Sequence, residues 1–169
     1  MIGIETADDE VLEFVNKGYT SEDIIEVGRK MDEAGIPYRI IYLGGLAGKG
    51  KLVASARKTA KIFNQIHPYH MMLTNVIVLP GTRMYADMKA GKWTESTEKE
   101  RLEEMRALIS DLNIPITIDS GTSASSVYFV VNLPKDKKKI ITELDRIIDN
   151  FDEATEKALL ARRHSMFSA

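Results

Sequence analysis

Tyr38-Arg39-Ile40-Ile41-Tyr42-Leu43-Gly44-Gly45-Leu46-Ala47-Gly48-Lys49-Gly50-Lys51 passes from a short apolar run into a glycine-rich loop, and Leu52 to Ile66 then shows helical periodicity up to Pro68. The apolar run reads as a buried strand, and strand, glycine loop, helix is the order of a parallel α/β unit. Upstream, Ile2-Gly3-Ile4 reads as the end of a strand. A short helix follows from Asp8-Asp9-Glu10 to Gly18, and a second is capped at Thr20-Ser21-Glu22-Asp23 and stopped at Gly35-Ile36-Pro37. Downstream, His70 to Leu79 is a long apolar run ended by Pro80-Gly81, and Thr82 to Ala90 reads as a helix with Gly91 as its stop. Thr97 to Leu112 places Leu102, Met105, Leu108, Ile109 and Leu112 on one face of an amphipathic helix. Strands are expected over 114–118 and 127–131, and helices from Pro134 to Ile148 and from Phe151 to Met166.

Alternating strands and helices predict right-handed parallel βαβ units with ligand sites in the loops after the strands, here beginning at Glu5, Gly44 and Leu79. A complete α/β barrel takes about 250 residues. At 169 residues the chain is expected to be either a small open sheet or part of such a barrel, and a strand starting one residue after Met1 favours a part. Hydrophobic residues make up 44% and charged residues 28%, the balance of a folded globular chain. A net charge of −2 gives no global pull toward nucleic acid or anionic lipid. The absence of cysteine excludes disulfides, thiolate zinc sites, cysteine nucleophiles and any iron–sulfur cluster held by this chain's own thiolates, and fits a cytoplasmic protein. No apolar run approaches the ~18 residues of a membrane helix.

Several motifs carry possible chemistry. Gly45 to Lys51 satisfies the Gly-x4-Gly-Lys half of a phosphate-binding loop between strand and helix, but Leu52 stands where a hydroxyl should hold magnesium, and Asp119 is the one candidate partner aspartate. A free-standing small-molecule or phosphate-binding domain using Gly44 to Lys51 is therefore the alternative reading. Glu5, at a strand end, could accept two hydrogen bonds from a ribose diol, and Lys17 could either complement a helix dipole or pair with a ligand carboxylate. His67, His70 and His164 have no metal-site spacing, and Ser120 to Ser126 has no nucleophile elbow, so no metal ligand or catalytic residue is assigned.

Ile2-Gly3-Ile4-Glu5-Thr6-Ala7-Asp8-Asp9-Glu10-Val11-Leu12 with Val15-Asn16-Lys17-Gly18-Tyr19-Thr20 resembles the fourth strand and helix of radical S-adenosylmethionine (SAM) enzymes of the elongator-subunit-three and oxygen-independent coproporphyrinogen oxidase type. Tyr38 to Gly48 resembles their fifth strand and Gly-Leu-Pro-Gly-like loop, with Ala47 in the proline's place. Leu79-Pro80-Gly81-Thr82-Arg83-Met84-Tyr85 with Gly91-Lys92-Trp93 resembles their sixth strand and its Pro-Gly-Thr turn, and Leu133 to Lys137 more loosely resembles a C-terminal segment.

The resemblance implies the C-terminal half of a partial (β/α) TIM-like barrel over residues 1–95, with about three parallel strands, and a C-terminal α/β extension over 96–169. It implies an iron–sulfur oxidoreductase that uses SAM and a [4Fe–4S] cluster in the parent protein. The cluster's Cys-x3-Cys-x2-Cys loop is lacking here, so this chain alone is expected to be inactive and to hold no cofactor tightly. Glu5 would face the SAM ribose and Lys17 the methionyl carboxylate. Gly44 and Gly45 would let backbone approach the ligand, and Val76, Ile77 and Val78 would offer backbone to the adenine edge. The family's acid in the fifth strand has no counterpart among Ile40, Ile41 and Tyr42. Expected partners are the missing N-terminal half of the barrel, a small-molecule or macromolecular substrate, and a second copy through an exposed sheet edge.

Overall fold

The computed structural model describes residues 1–166. The elements run β1 (Ile2–Glu5), α1 (Asp9–Phe14), α2 (Ser21–Glu33), β2 (Arg39–Gly44), α3 (Leu52–Phe63), β3 (His70–Asn75), α4 (Arg83–Lys89), α5 (Glu98–Asp111), β4 (Ile116–Asp119), β5 (Val130–Leu133), α6 (Lys137–Asp149) and α7 (Glu153–Ser165). All five strands form one sheet in the order β1-β2-β3-β4-β5. The first four are parallel, one more than expected, and β5 returns antiparallel to β4. The sheet is continuous across residue 95. None of the described helices is long and apolar enough to cross a membrane.

Caps fix the helix starts. Thr20 and Asp23 form a reciprocal capping box on α2, and Thr97 and Glu100 form another on α5. The apolar run after His70 was expected to remain strand through Leu79, but β3 stops at Asn75. Its neighbours end with it or before it: Gly44, the last residue of β2, pairs with Asn75, and β4 reaches only Asp119, opposite Met72. Val76 and Val78 stay buried without a ladder, in a second apolar cluster with Val11, Leu46 and Trp93. The strand expected over 127–131 is displaced to Val130–Leu133, because Ser120 and Ser125 close a turn that delays its start.

One face of the sheet carries the main core. Ile4, Ile40, Tyr42, Met71, Leu73, Ile116, Ile118, Val131 and Leu133 are buried there with residues of α2, α3, α5 and α6. The alternate residues Gly3, Arg39, Ile41, His70, Met72, Thr117 and Asp119 are only half-buried, and Val130 and Asn132 are exposed. The apolar strand expected to be buried on both faces is covered on one.

Gly28 shows how closely α2 approaches the core. A Cβ at that position would lie 2.3 Å from Ile66 Cγ2 and 3.3 Å from the Tyr38 hydroxyl. Gly28→Ala is therefore expected to destabilise the fold by about 2 kcal/mol in urea unfolding, although alanine is the better helix former by about 1 kcal/mol. A neutral or stabilising result would show that α2 can move away from Ile66 freely.

Candidate functional site

The carboxyl end of β1 is built by backbone conformation. The ladder with β2 slips between Gly3 and Glu5, and Glu5 takes a left-handed φ of 69°. Helix α1 ends at Phe14, and Asn16 (φ 57°) reverses the chain so that Lys17 returns to β1. Lys17 Nζ donates to the Gly3 carbonyl at 3.0 Å and lies 3.5 Å from Glu5 Oε1. Lys17 therefore pairs with Glu5 rather than serving only the α1 dipole. The Tyr19 hydroxyl also donates to the carbonyls of Gly3 and Ile4, at 3.1 and 3.0 Å. Both charged side chains remain partly accessible, at 20% for Glu5 and 27% for Lys17, and an ammonium with three N–H groups retains capacity for a carboxylate.

At the ends of β2 and β3 the space is filled by the protein itself. Gly45 N–H donates to Glu104 Oε2 at 2.7 Å, and Glu104 Oε1 accepts from the Tyr42 hydroxyl at 2.7 Å. Arg101 Nη1 donates to the Val76 carbonyl at 3.3 Å and makes a long contact of 3.5 Å to the Gly44 carbonyl. A Cβ on Gly45, whose φ is +85°, would stand 2.2 Å from that guanidinium. Gly44 and Gly45 thus admit Arg101 and Glu104 from α5. Val76 N–H donates to the Gly44 carbonyl and Val76 C=O also accepts from Arg163, so its backbone is committed, whereas Ile77 and Val78 follow it outside any ladder.

Sequence reading missed the charged network behind these glycines. Glu98, Arg101, Glu104 and Arg163 are each 1–2% exposed. Glu98 receives Arg163 Nη2 at 2.8 Å and the Ser126 hydroxyl, and Arg101 Nη2 reaches Glu95 at 3.3 Å. Burial would push the Glu98 carboxyl up, but Arg163, Ser126 and Arg101 together hold it below the ordinary range. Glu104 goes the other way: burial raises it to about 7 against the opposing pull of Tyr42, Gly45 and Arg101. The available signal was spacing, since 98, 101, 104, 105 and 108 lie on one helical stripe.

Several backbone amides of the Gly44–Lys51 loop are taken up within the protein. Gly50 N–H donates to Glu100 Oε1 at 2.8 Å, Lys49 N–H to the Thr94 carbonyl, and the Gly48 and Lys51 amides to carbonyls within the loop. Asp119 accepts Gly121 N–H, and Lys58 pairs with Asp8 and Glu10. His67 pairs with Asp32 and His164 with Glu95. Ser120, Thr122 and Ser125 bond within their own turn and to β3.

The residues present fit the two groups implied by the resemblance differently. The chain has no cysteine, and no group of three His, Asp or Glu among the described residues could hold a metal, so a cluster finds no donor set here. Glu5 and Lys17 do fit a ligand carrying a diol and a carboxylate.

No family model matches the chain. The chain is 25% identical over 108 residues to the tRNA uridine(34) acetyltransferase of Methanocaldococcus jannaschii, a match covering 60% of this chain and 19% of that protein. Elp3 of the archaeon Methanocaldococcus infernus, solved with its N-terminal residues 1–46 deleted, has the same fold over 71% of this chain and 29% of its own, with a TM-score of 0.58 and 19% identity. The chain thus spans about a fifth of the length of the curated relative. The chain is thus similar in sequence to the tRNA uridine(34) acetyltransferase and shares its fold, over most of its length, with Elp3, the family that its strand-end motifs resemble.

Proposed function

We propose that this chain is a section of barrel wall from an Elp3-like radical SAM protein, carrying one side of the SAM site and inactive by itself. The observation that carries this reading is the sheet: parallel strands in sequential order β1-β2-β3-β4 with the helical core on one face. Doubly wound folds reverse their strand order and cover both faces, whereas a barrel wall keeps sequential order and turns one face inward. The half-buried Ile41, Leu43 and Met72 suit such an inner face, and the antiparallel β5 lies outside the pattern. The free edge of β1 is where the neighbouring strand of the wall would add.

On this reading Glu5 accepts the ribose hydroxyls and Lys17 holds the methionyl carboxylate, with Ile77 and Val78 along the adenine. Held by Glu5 and Lys17, SAM would supply the family's one-electron chemistry together with a reduced cluster from outside this chain. The relative named for tRNA uridine makes a tRNA uridine the substrate class we propose for the whole protein.

The test is a SAM titration of the chain followed by two-dimensional NMR. Saturable shifts are expected near Glu5 and Lys17, with binding weakened about tenfold or more by Glu5→Gln and by Lys17→Met. Absence of saturation at millimolar SAM, or wild-type affinity in both variants, would remove the site. After anaerobic reconstitution the chain should show no cluster absorbance, and a stoichiometric cluster would overturn the account.

A further inference from the structure

The open face of the sheet carries a second polar feature at the amino ends of the strands, away from Glu5 and Lys17. Arg39, His70, Thr117 and Asn132 stand side by side in register across β2, β3, β4 and β5. Strands about 4.8 Å apart make each residue the neighbour of the next. The next row along the strands is apolar at Ile41 and Met72, with Asp119 on β4.

The polar atoms of this row are incompletely satisfied. Thr117 Oγ1 donates to Asn132 Oδ1 at 2.8 Å, which leaves the Asn132 amide nitrogen as a donor. Arg39 Nε and His70 Nδ1 are both shut off from solvent and have no hydrogen-bond partner. Among the described residues Arg39 makes no ion pair. The acid beside His70 is Asp119, 3.9 Å from Nε2, beyond hydrogen-bond reach, and it already accepts Gly121 N–H. Burial and then Arg39 hold the His70 imidazole below its ordinary value, with Asp119 opposing, so the ring is neutral at pH 7. The Arg39 guanidinium, without a counterion, lacks an acceptor, and specifically an anionic one, and the neutral imidazole beside it adds a polar nitrogen without a partner among the described residues.

We propose that this row is a binding site for a small oxyanion, a phosphate or carboxylate group, held by the Arg39 guanidinium, with the Asn132 amide at its rim and the His70 ring beside it. Arg39 supplies the charge and its fork geometry. On binding, the imidazole takes a proton from solvent, and Asp119 near Nε2 favours the imidazolium. The site shares no residue with Glu5 and Lys17.

The experiment is a phosphate titration of the 15N-histidine-labelled chain at constant ionic strength, with chloride as the balancing anion and acetate as the second probe. Either oxyanion is expected to shift the His70 ring nitrogens saturably and to raise the pKa of the ring by about one unit. Arg39→Met should weaken binding about tenfold or more, and Arg39→Lys, which keeps the charge and loses the fork, should fall between. A native-like backbone spectrum for each variant excludes misfolding as the cause. Absence of saturation with both oxyanions, or an unchanged response in Arg39→Met, would overturn the proposal. Light scattering covers a second source of an anion: if the chain is a dimer that Arg39→Met dissociates, the counterion is a carboxylate of a second copy and no small-molecule site exists.

Discussion

Arg101→Ala is expected to lower stability by about 3–5 kcal/mol at pH 8, the cost of leaving buried carboxylates without their cation. Arg101 is 2% exposed, lies 3.3 Å from Glu95 and 3.9 Å from Glu98, and bridges the ends of β2 and β3 through Val76 and Gly44. Glu104 is held down partly by the same guanidinium. For a domain of this size the loss corresponds to roughly 10 °C in Tm. It should shrink at pH 5, where Glu104 is protonated and fewer charges are stranded. Urea unfolding at both pH values measures it. A loss under about 1 kcal/mol at pH 8 would mean that water reaches the carboxylates, which the observed burial opposes.

The consequences of Arg101 reach the candidate site. Gly44 and Gly45 were read as places where backbone meets a ligand, because glycine after a strand usually permits close approach. In this protein the close approach is made by Arg101 and Glu104 of α5, with Gly45 N–H bonded to Glu104. The network therefore fixes the strand ends from behind, and the accessible charges are left at Glu5 and Lys17. Rigid support under a binding loop is how a scaffold positions groups it does not itself expose.

Legibility of the sequence followed the range of the interaction that decides each feature. The capping boxes at Thr20 and Thr97 are local, and both helix starts stand where the sequence put them. The strand–loop–helix order from Tyr38 to Phe63 is equally local in cause. The end of β3 is not: residues 76–79 are as apolar as strand, and the ladder stops because β2 and β4 stop. The charged stripe of α5 was hidden by the usual assumption that Glu and Arg face water, which fails when they neutralise one another. The pairing of Lys17 with Glu5 depends on the left-handed Asn16 and the bulge in β1, neither of which composition announces.

Glu104→Gln should remove most of one component of the pH dependence and make the protein more stable than wild type in alkaline buffer. Glu104 titrates at about 7 in the folded chain against 4.5 for its ordinary value, with burial as the main cause. Between those values the folded state binds the proton more tightly than the unfolded state. Stability from this group is therefore full below about pH 4.5 and is lost as pH rises through 7, by about 3 kcal/mol at pH 8. Glu98 and His70, both shifted down, oppose this trend, since their contributions are lost as pH falls. The difference between variant and wild type isolates Glu104 from them. Glutamine is nearly isosteric: its Oε1 can accept Gly45 N–H, and its amide can donate to the Tyr42 oxygen once that hydroxyl turns. Near equality at pH 5 and a gain of up to about 3 kcal/mol at pH 8 are expected, read from urea midpoints across the range. A difference that stays flat with pH would show that Glu104 is ionised throughout, and Arg101 would then be its full counterion.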